Sequence, residues 1–519
     1  MIDNNIKIME EQLKIFYVMN SFIYHITFNR LSKPKKKEMK KIKETKISSF
    51  ASTLVYSRIN LIAFFISVSV LMLLTLISIG DYHDDYFPIP AYAAKAESNP
   101  EGPIIDDPNL VVQPVYQGLK SPTAMAFIAS NDILVLEKDE GTVQRIVNGK
   151  ILPEPLLQVV VDSKDERGML GIDISTKDKA TTIGTQPRPS PINVFLFITE
   201  PKLGEFPMGN RVYKYELIDD NTKLANPKLL LNLPALPDDS HVGGVVAVGP
   251  DNNVYLTVGD QRPTAFNRIV YPESHTKAQN YLNGIEPDGR SGILRITQDG
   301  GTVGGEGILG DRHPLNKYYA YGIKNSFGLD FDPVTGNLWD TENGPSFGDE
   351  INLVKPGFNS GWANIQGFST LDDEWNKGEQ VVNPLNPKDY GLIDFGGKGK
   401  YSSPEFTWDV APTALQFLNS DKLGKQYEND MFVGDIKNGN LYHFELDQQR
   451  TGLLLEGPLA DKDASKDEIN QAVFAQGFGG ITDIDVGPDG YLYVLTFGEE
   501  DGTIYKIVPA ANGEKKIVS

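Results

Sequence analysis

From about Leu110 to Val508 the chain repeats one pattern: a short run of alternating apolar residues, a turn carrying Asp, Asn or Gly, and a second apolar run. Such period-two alternation, broken by turn residues, predicts antiparallel strands with one face buried. Six copies are legible, at Ala124–Val147, Asn193–Leu217, Val245–Val258 completed by Ile293–Ile296, Gly328–Val354, Ala414–Leu446 and Ile481–Val508. Repeats at roughly the ~40–50 residues of known blades, with insertions, predict an all-β, six-bladed β-propeller over residues 110–509. A sandwich or two smaller β-domains would need a dividing linker, and none interrupts this span. Segments 262–290 and 365–403 are rich in Gly, Pro, Asn and Asp without strand periodicity, and are expected as long loops on one face.

The densest copy runs from Tyr321 to Trp362. Its strands, Phe327 to Phe331 and Asn337 to Thr341, flank a turn of Asp332-Pro333-Val334-Thr335-Gly336. Beyond them Glu342-Asn343-Gly344-Pro345 and Asp349-Glu350 supply carboxylates and exposed carbonyls, the hard oxygen donors that calcium accepts. Adjacent carboxylates on a strand point to opposite faces, so Asp349 and Glu350 can serve one ion together only from a loop.

Composition narrows the chemistry. Among 519 residues there is no cysteine, which removes thiol nucleophiles, disulfides and thiolate metal sites. The net charge is −20, yet residues 1–60 hold 12 Lys and Arg against 5 Asp and Glu, so the remaining chain carries −27. A nucleic-acid surface is thereby disfavoured. The basic segment 1–58 precedes an uncharged apolar run at 59–80, long enough to cross a bilayer as a helix. The positive-inside rule then puts the N-terminus in the cytoplasm and everything beyond Asp81 outside it. Residues 81–109 read as a tether and 510–519 as a tail. A secreted form, cleaved after Ala91-Tyr92-Ala93, is the competing reading, but the leading region is long and the apolar run ends well before that site.

Several segments together resemble the soluble quinoprotein glucose and sorbosone dehydrogenases: GLKSPTAMAF, DERGMLGIDIS at 165–175, SHVGGVVAVGPDNNVYLTVGDQ at 240–261, the Tyr321–Trp362 stretch, APTALQF at 411–417 and GPDGYLYVLT at 487–496. The resemblance implies a six-bladed propeller using pyrroloquinoline quinone (PQQ) and Ca2+ to oxidise a sugar or related small alcohol, with electrons passing to an unnamed acceptor. It makes His241 the counterpart of the general base, a role suited to an imidazole with an ordinary pKa near 6.5. It matches Gly344 and Pro345 to carbonyls that hold calcium, with Asp349 and Glu350 the acidic pair downstream. It also matches Lys324, Asn325 and Lys437 to cofactor contacts, and Arg167 adds a positive group near that face. Two departures stand out: Lys324 replaces an arginine, and Gly480-Ile481-Thr482 stands where arginines often precede the last turn. A tri-anionic quinone is gripped best by guanidinium forks, so their loss matters.

Three readings stay open on the residues alone. They are a quinone-dependent dehydrogenase, a carbohydrate- or protein-binding propeller that has lost the quinone, and a calcium-dependent lactonase-like hydrolase. The run Gly300 to Gly305 lacks the Lys of a phosphate loop, so nucleotide binding finds no support. Trp362 and Trp408 read as core and are given no site role.

Overall fold

The computed structural model describes residues 98–99, 102–175, 192–203, 206–218, 221–236, 240–261, 275–372, 375–382 and 386–510. The apolar run 59–80 and the Ala91–Ala93 site lie outside them. Among the described residues no helix is long and apolar enough to cross a membrane.

Among the described residues six of the seven sheets each contain one of the six predicted repeats, antiparallel throughout except where Phe358–Asn359 joins the third sheet in parallel pairings. Their first strands are Pro122–Ala129, Met169–Ser175, Gly243–Val248, Ser326–Phe331, Pro412–Phe417 and Ile481–Val486. Each lies beside the next, and the sixth returns to the first, so the ring closes. Closure is made by the two ends of the propeller segment: Leu110–Leu119 pairs antiparallel with Gly502–Pro509 in the sixth sheet. The N-terminal strand thus supplies the outer strand that the C-terminal repeat lacks.

Apolar alternation explains the packing between blades. Trp339, Ile351, Phe406 and Trp408 of the fourth blade pack with Phe417, Met431, Val433 and Tyr442 of the fifth in one buried cluster. Trp408 is therefore core, as read from the sequence. The segment 365–403 departs from the expected plain loop, for Ile365–Gln366, Ser369–Leu371 and Lys377–Gln380 make a small three-stranded sheet. Its last strand is fully exposed, so no apolar alternation could announce it. It is held instead by backbone pairing and by the Thr370 hydroxyl against Glu379.

The inner strands surround an axial cavity of about 290 Å³. Three aspartates there, from alternate blades, reach across to the next blade. Asp173 accepts the Val248 N–H at 2.6 Å, Asp330 the Phe417 N–H at 2.8 Å and Asp483 the Met125 N–H at 2.7 Å. Inner strands have an unpaired edge facing the axis, and these carboxylates satisfy some of its donors. Burial, then the nearby Asp173 and Asp330, raises the Asp483 pKa to about 7. A carboxyl raised in this way stabilises the fold fully below its unfolded value of about 3.9 and loses that contribution as pH climbs toward about 7. Asp483→Asn cannot titrate. The stability gap between wild type and this variant should therefore narrow, by about 1 kcal/mol or more, as urea unfolding is repeated from pH 4 to pH 7. A constant gap would refute the assignment.

Candidate active site

His241 precedes the inner strand of the third blade, in the left-handed region at φ 56°. Gly259, at the end of the facing strand, makes room for it: a Cβ there would sit 2.0 Å from the His241 carbonyl oxygen. The imidazole Nδ1 lies 2.7 Å from Asp260 Oδ1, while Asp260 Oδ2 accepts the Trp362 indole N–H at 2.8 Å. Since a carboxylate only accepts, Nδ1 carries the proton and Nε2 presents its lone pair. Lys324 Nζ reaches that Nε2 at 3.2 Å and stands 5.8 Å above the Trp362 ring. Asp260 and Lys324 are 1% and 4% exposed, so these charges act in a poorly hydrated setting. Burial pulls the Lys324 pKa down, against Asp260, Glu166, Asp349 and Glu342, which hold it up.

Neighbouring carboxylates brace this centre through the backbone. Glu166 accepts the Val242 N–H and the Asn325 side-chain amide, at 3.3 and 3.2 Å. Asn325 in turn accepts the Gly243 N–H at 3.1 Å. Asn325 thus fixes the turn after His241. Arg167 points elsewhere, with its guanidinium engaged by Asp162 and the Leu236 carbonyl, so Glu166 rather than Arg167 faces the cavity. Lys437 lies on the fifth blade and donates to the Asp409 carbonyl at 3.1 Å.

The expectation that Asp349 and Glu350 sit in a loop is corrected: they open the strand Asp349–Val354. Their carboxylates consequently diverge. Asp349 accepts the Gly344 and Ala411 N–H groups at 2.8 and 2.7 Å, bracing the turn from behind. Glu350 accepts the Gly367 N–H at 2.6 Å and meets the Ser360 hydroxyl at 2.9 Å. That hydroxyl also stands 2.7 Å from Glu342, whose other oxygen accepts the Lys324 N–H at 2.6 Å. Among the described residues no donor reaches the Gly344 or Pro345 carbonyl, and the buried Asn343 Oδ1 has no partner. The turn therefore presents oxygen acceptors without donors, which fits a hard cation. Among the described residues no three His, Asp or Glu side chains converge on a metal position.

Sequence reading missed Asp260 and Trp362. The dipeptide Gly259-Asp260 at a strand end was a usable signal for the first. Nothing in the sequence marked Trp362, which lies 102 positions away from Asp260 in the chain.

The glucose/sorbosone dehydrogenase profile matches residues 119–506, and the chain belongs to that family. It is 26% identical over 414 residues to quinoprotein glucose dehydrogenase B of Acinetobacter calcoaceticus, covering 69% of this chain and 80% of that one. It is 25% identical over 411 residues to the aldose sugar dehydrogenase YliI of Escherichia coli, covering 77% and 92%. The fold matches the PQQ-bound form of an aldose sugar dehydrogenase from Streptomyces coelicolor with TM-score 0.52 at 20% identity, over 78% of this chain and all of that one.

Proposed function

We propose that this oxidoreductase is a PQQ-dependent sugar dehydrogenase with His241 as its general base, anchored by residues 59–80 with the propeller outside the cytoplasm. The observation that carries the reading is the Asp260–His241–Lys324 chain, set next to Gly243 and Glu166, which line the axial cavity. Lys324, Asn325 and Lys437 would hold the quinone, and the Gly344 and Pro345 carbonyls would hold calcium. When bound, the quinone supplies the two-electron acceptor.

The residues present fit that group in part. A buried ammonium at the centre and a turn of unpaired oxygens suit an anionic ligand bridged by a cation, and Lys324 keeps one positive charge where a guanidinium is absent. Thr482, which lines the cavity in place of a cation, lowers the positive potential there.

The chain's own residues then act as follows. Asp260 holds the imidazole with its proton on Nδ1, and the Trp362 N–H fixes Asp260, so Nε2 is aimed by two successive hydrogen bonds. A substrate hydroxyl gives its proton to Nε2, and the Lys324 ammonium must move aside for it. Asp260 stabilises the imidazolium that results. Until substrate arrives, Lys324 Nζ occupies the place beside Nε2, 3.2 Å away, that the substrate hydroxyl must take.

Full-length chain stripped of metals, then titrated calorimetrically with PQQ in the presence of calcium, is expected to take up one equivalent and reduce an artificial dye with at least one aldose. No uptake would overturn the dehydrogenase reading and favour the binding propeller or the hydrolase, since the axial carboxylates and missing arginines both oppose an anion.

A further inference from the structure

We propose that a second hard divalent cation, of the calcium type, binds in a small cleft on the outer side of the Gly344–Gly348 turn, apart from the Gly344 and Pro345 carbonyls. The cleft measures about 50 Å³ and is lined by Gly348, Gln366, Thr407, Asp409, Asp463 and Lys377, among others. That volume holds an ion with a water or two.

Gln366 is the decisive residue. It is 1% exposed, and its Nε2 donates to the Gly348 carbonyl at 2.9 Å. This bond fixes which end of the amide is oxygen. Oε1 is then a buried acceptor that no donor reaches, an unfavourable arrangement unless something fills it. A lysine, a water or a metal ion could do so.

The surroundings select among them. Asp409 gives one oxygen to the Gly348 N–H at 2.7 Å, leaving the other for a ligand. Asp463 is brought in by the bridge between its backbone and Thr407. It lies in the field of Asp409, Asp461 and Glu468, with Lys377 as the opposing charge. Lys377 stands over the Phe347 ring at 5.7 Å and, among the described ion pairs within 4.0 Å, pairs with neither aspartate, while Lys437 donates to the Asp409 carbonyl rather than its carboxylate. Two carboxylates, an amide oxygen and a carbonyl with a spare lone pair make an all-oxygen donor set. Calcium takes six to eight such donors, water included, and adapts to irregular geometry. Zinc and copper would look for nitrogen or sulfur here and find none.

An ion so placed would tie the 344–348 turn to the strand ending at Trp408 and to the 461–464 segment. The outer site is independent of the quinone, so it stands or falls apart from the dehydrogenase reading.

The test is calorimetric titration of calcium chloride into chelator-stripped full-length wild type, Asp463→Asn, Lys377→Met and Asp349→Asn. One binding event should weaken tenfold or more in D463N, tighten severalfold in K377M and persist in D349N. Thermal unfolding of D463N in chelator should match wild type, showing that its fold is intact. Identical isotherms for wild type and D463N would overturn the proposal. So would a K377M protein that melts earlier and binds no calcium, because the ammonium would then be the cleft's natural occupant.

Discussion

Turnover by a His241→Ala variant is expected to fall about 10²–10⁴-fold, the usual contribution of a positioned proton acceptor, while its unfolding transition stays within experimental error of wild type. The loop position at the mouth of the third blade explains the second half of that expectation, because the imidazole is not part of an apolar cluster. Asp260→Asn separates orientation from basicity. The amide preserves shape but offers a donor where Nδ1–H needs an acceptor, so the imidazole is driven toward the tautomer with its proton on Nε2. Turnover should drop with it. It is read from dye reduction on PQQ-loaded full-length protein. Wild-type turnover in H241A would remove this histidine from the reaction.

The largest structural effect is expected at Asp332. Its carboxylate, 1% exposed, receives Arg450 Nε at 2.9 and 2.8 Å and Arg450 Nη2 at 2.7 Å, along with the Val334 N–H and the Thr335 hydroxyl. Arg450 comes from the 447–452 turn of the next blade, so one ion pair pins two hairpins together. Asp332→Ala leaves the guanidinium largely buried without its counter-charge and should lower stability by about 3–5 kcal/mol in urea unfolding. Removing both partners, with Arg450→Met added, should restore part of the loss, since no unpaired charge then remains. Burial alone would raise the Asp332 pKa, but Arg450 and the local hydrogen bonds outweigh it and hold the group below its usual value. A lowered carboxylate pKa gives stability above the unfolded value near 3.9 that is lost as pH falls through the folded value. The difference between wild type and D332A should therefore be full at pH 7 and fade below about pH 4. Its persistence at pH 2 would show that packing, not charge, was lost.

The candidate site was legible where its residues are local in the chain. His241 stands beside glycines at a strand entrance, and the Glu342–Pro345 run is a turn written in oxygen donors. Those signals survive because turn and loop chemistry depends on neighbouring residues. Trp362 was not legible, because its meaning comes from meeting Asp260, 102 positions away in the chain; Asp260 meets His241 between neighbouring strands of one blade, and only Gly259-Asp260 at a strand end marked it. The Asp349–Glu350 pair illustrates the opposite error. Two adjacent acids look like one ligand set in sequence, but pairing with Leu338–Glu342 makes their segment a strand and sends the carboxylates to opposite faces.

Periodicity by itself determined the strands, their number of repeats and the all-β class, because a period of two is imposed residue by residue on any chain that buries one face of a sheet. Only the tertiary structure decided how the ring is sealed, with Leu110–Leu119 lying against Gly502–Pro509, and which charges meet at the axis. Those are contacts between residues up to hundreds of positions apart. No local pattern encodes such distances: they follow from how six twisted sheets pack around a common centre, and the chemistry of His241 depends on that packing.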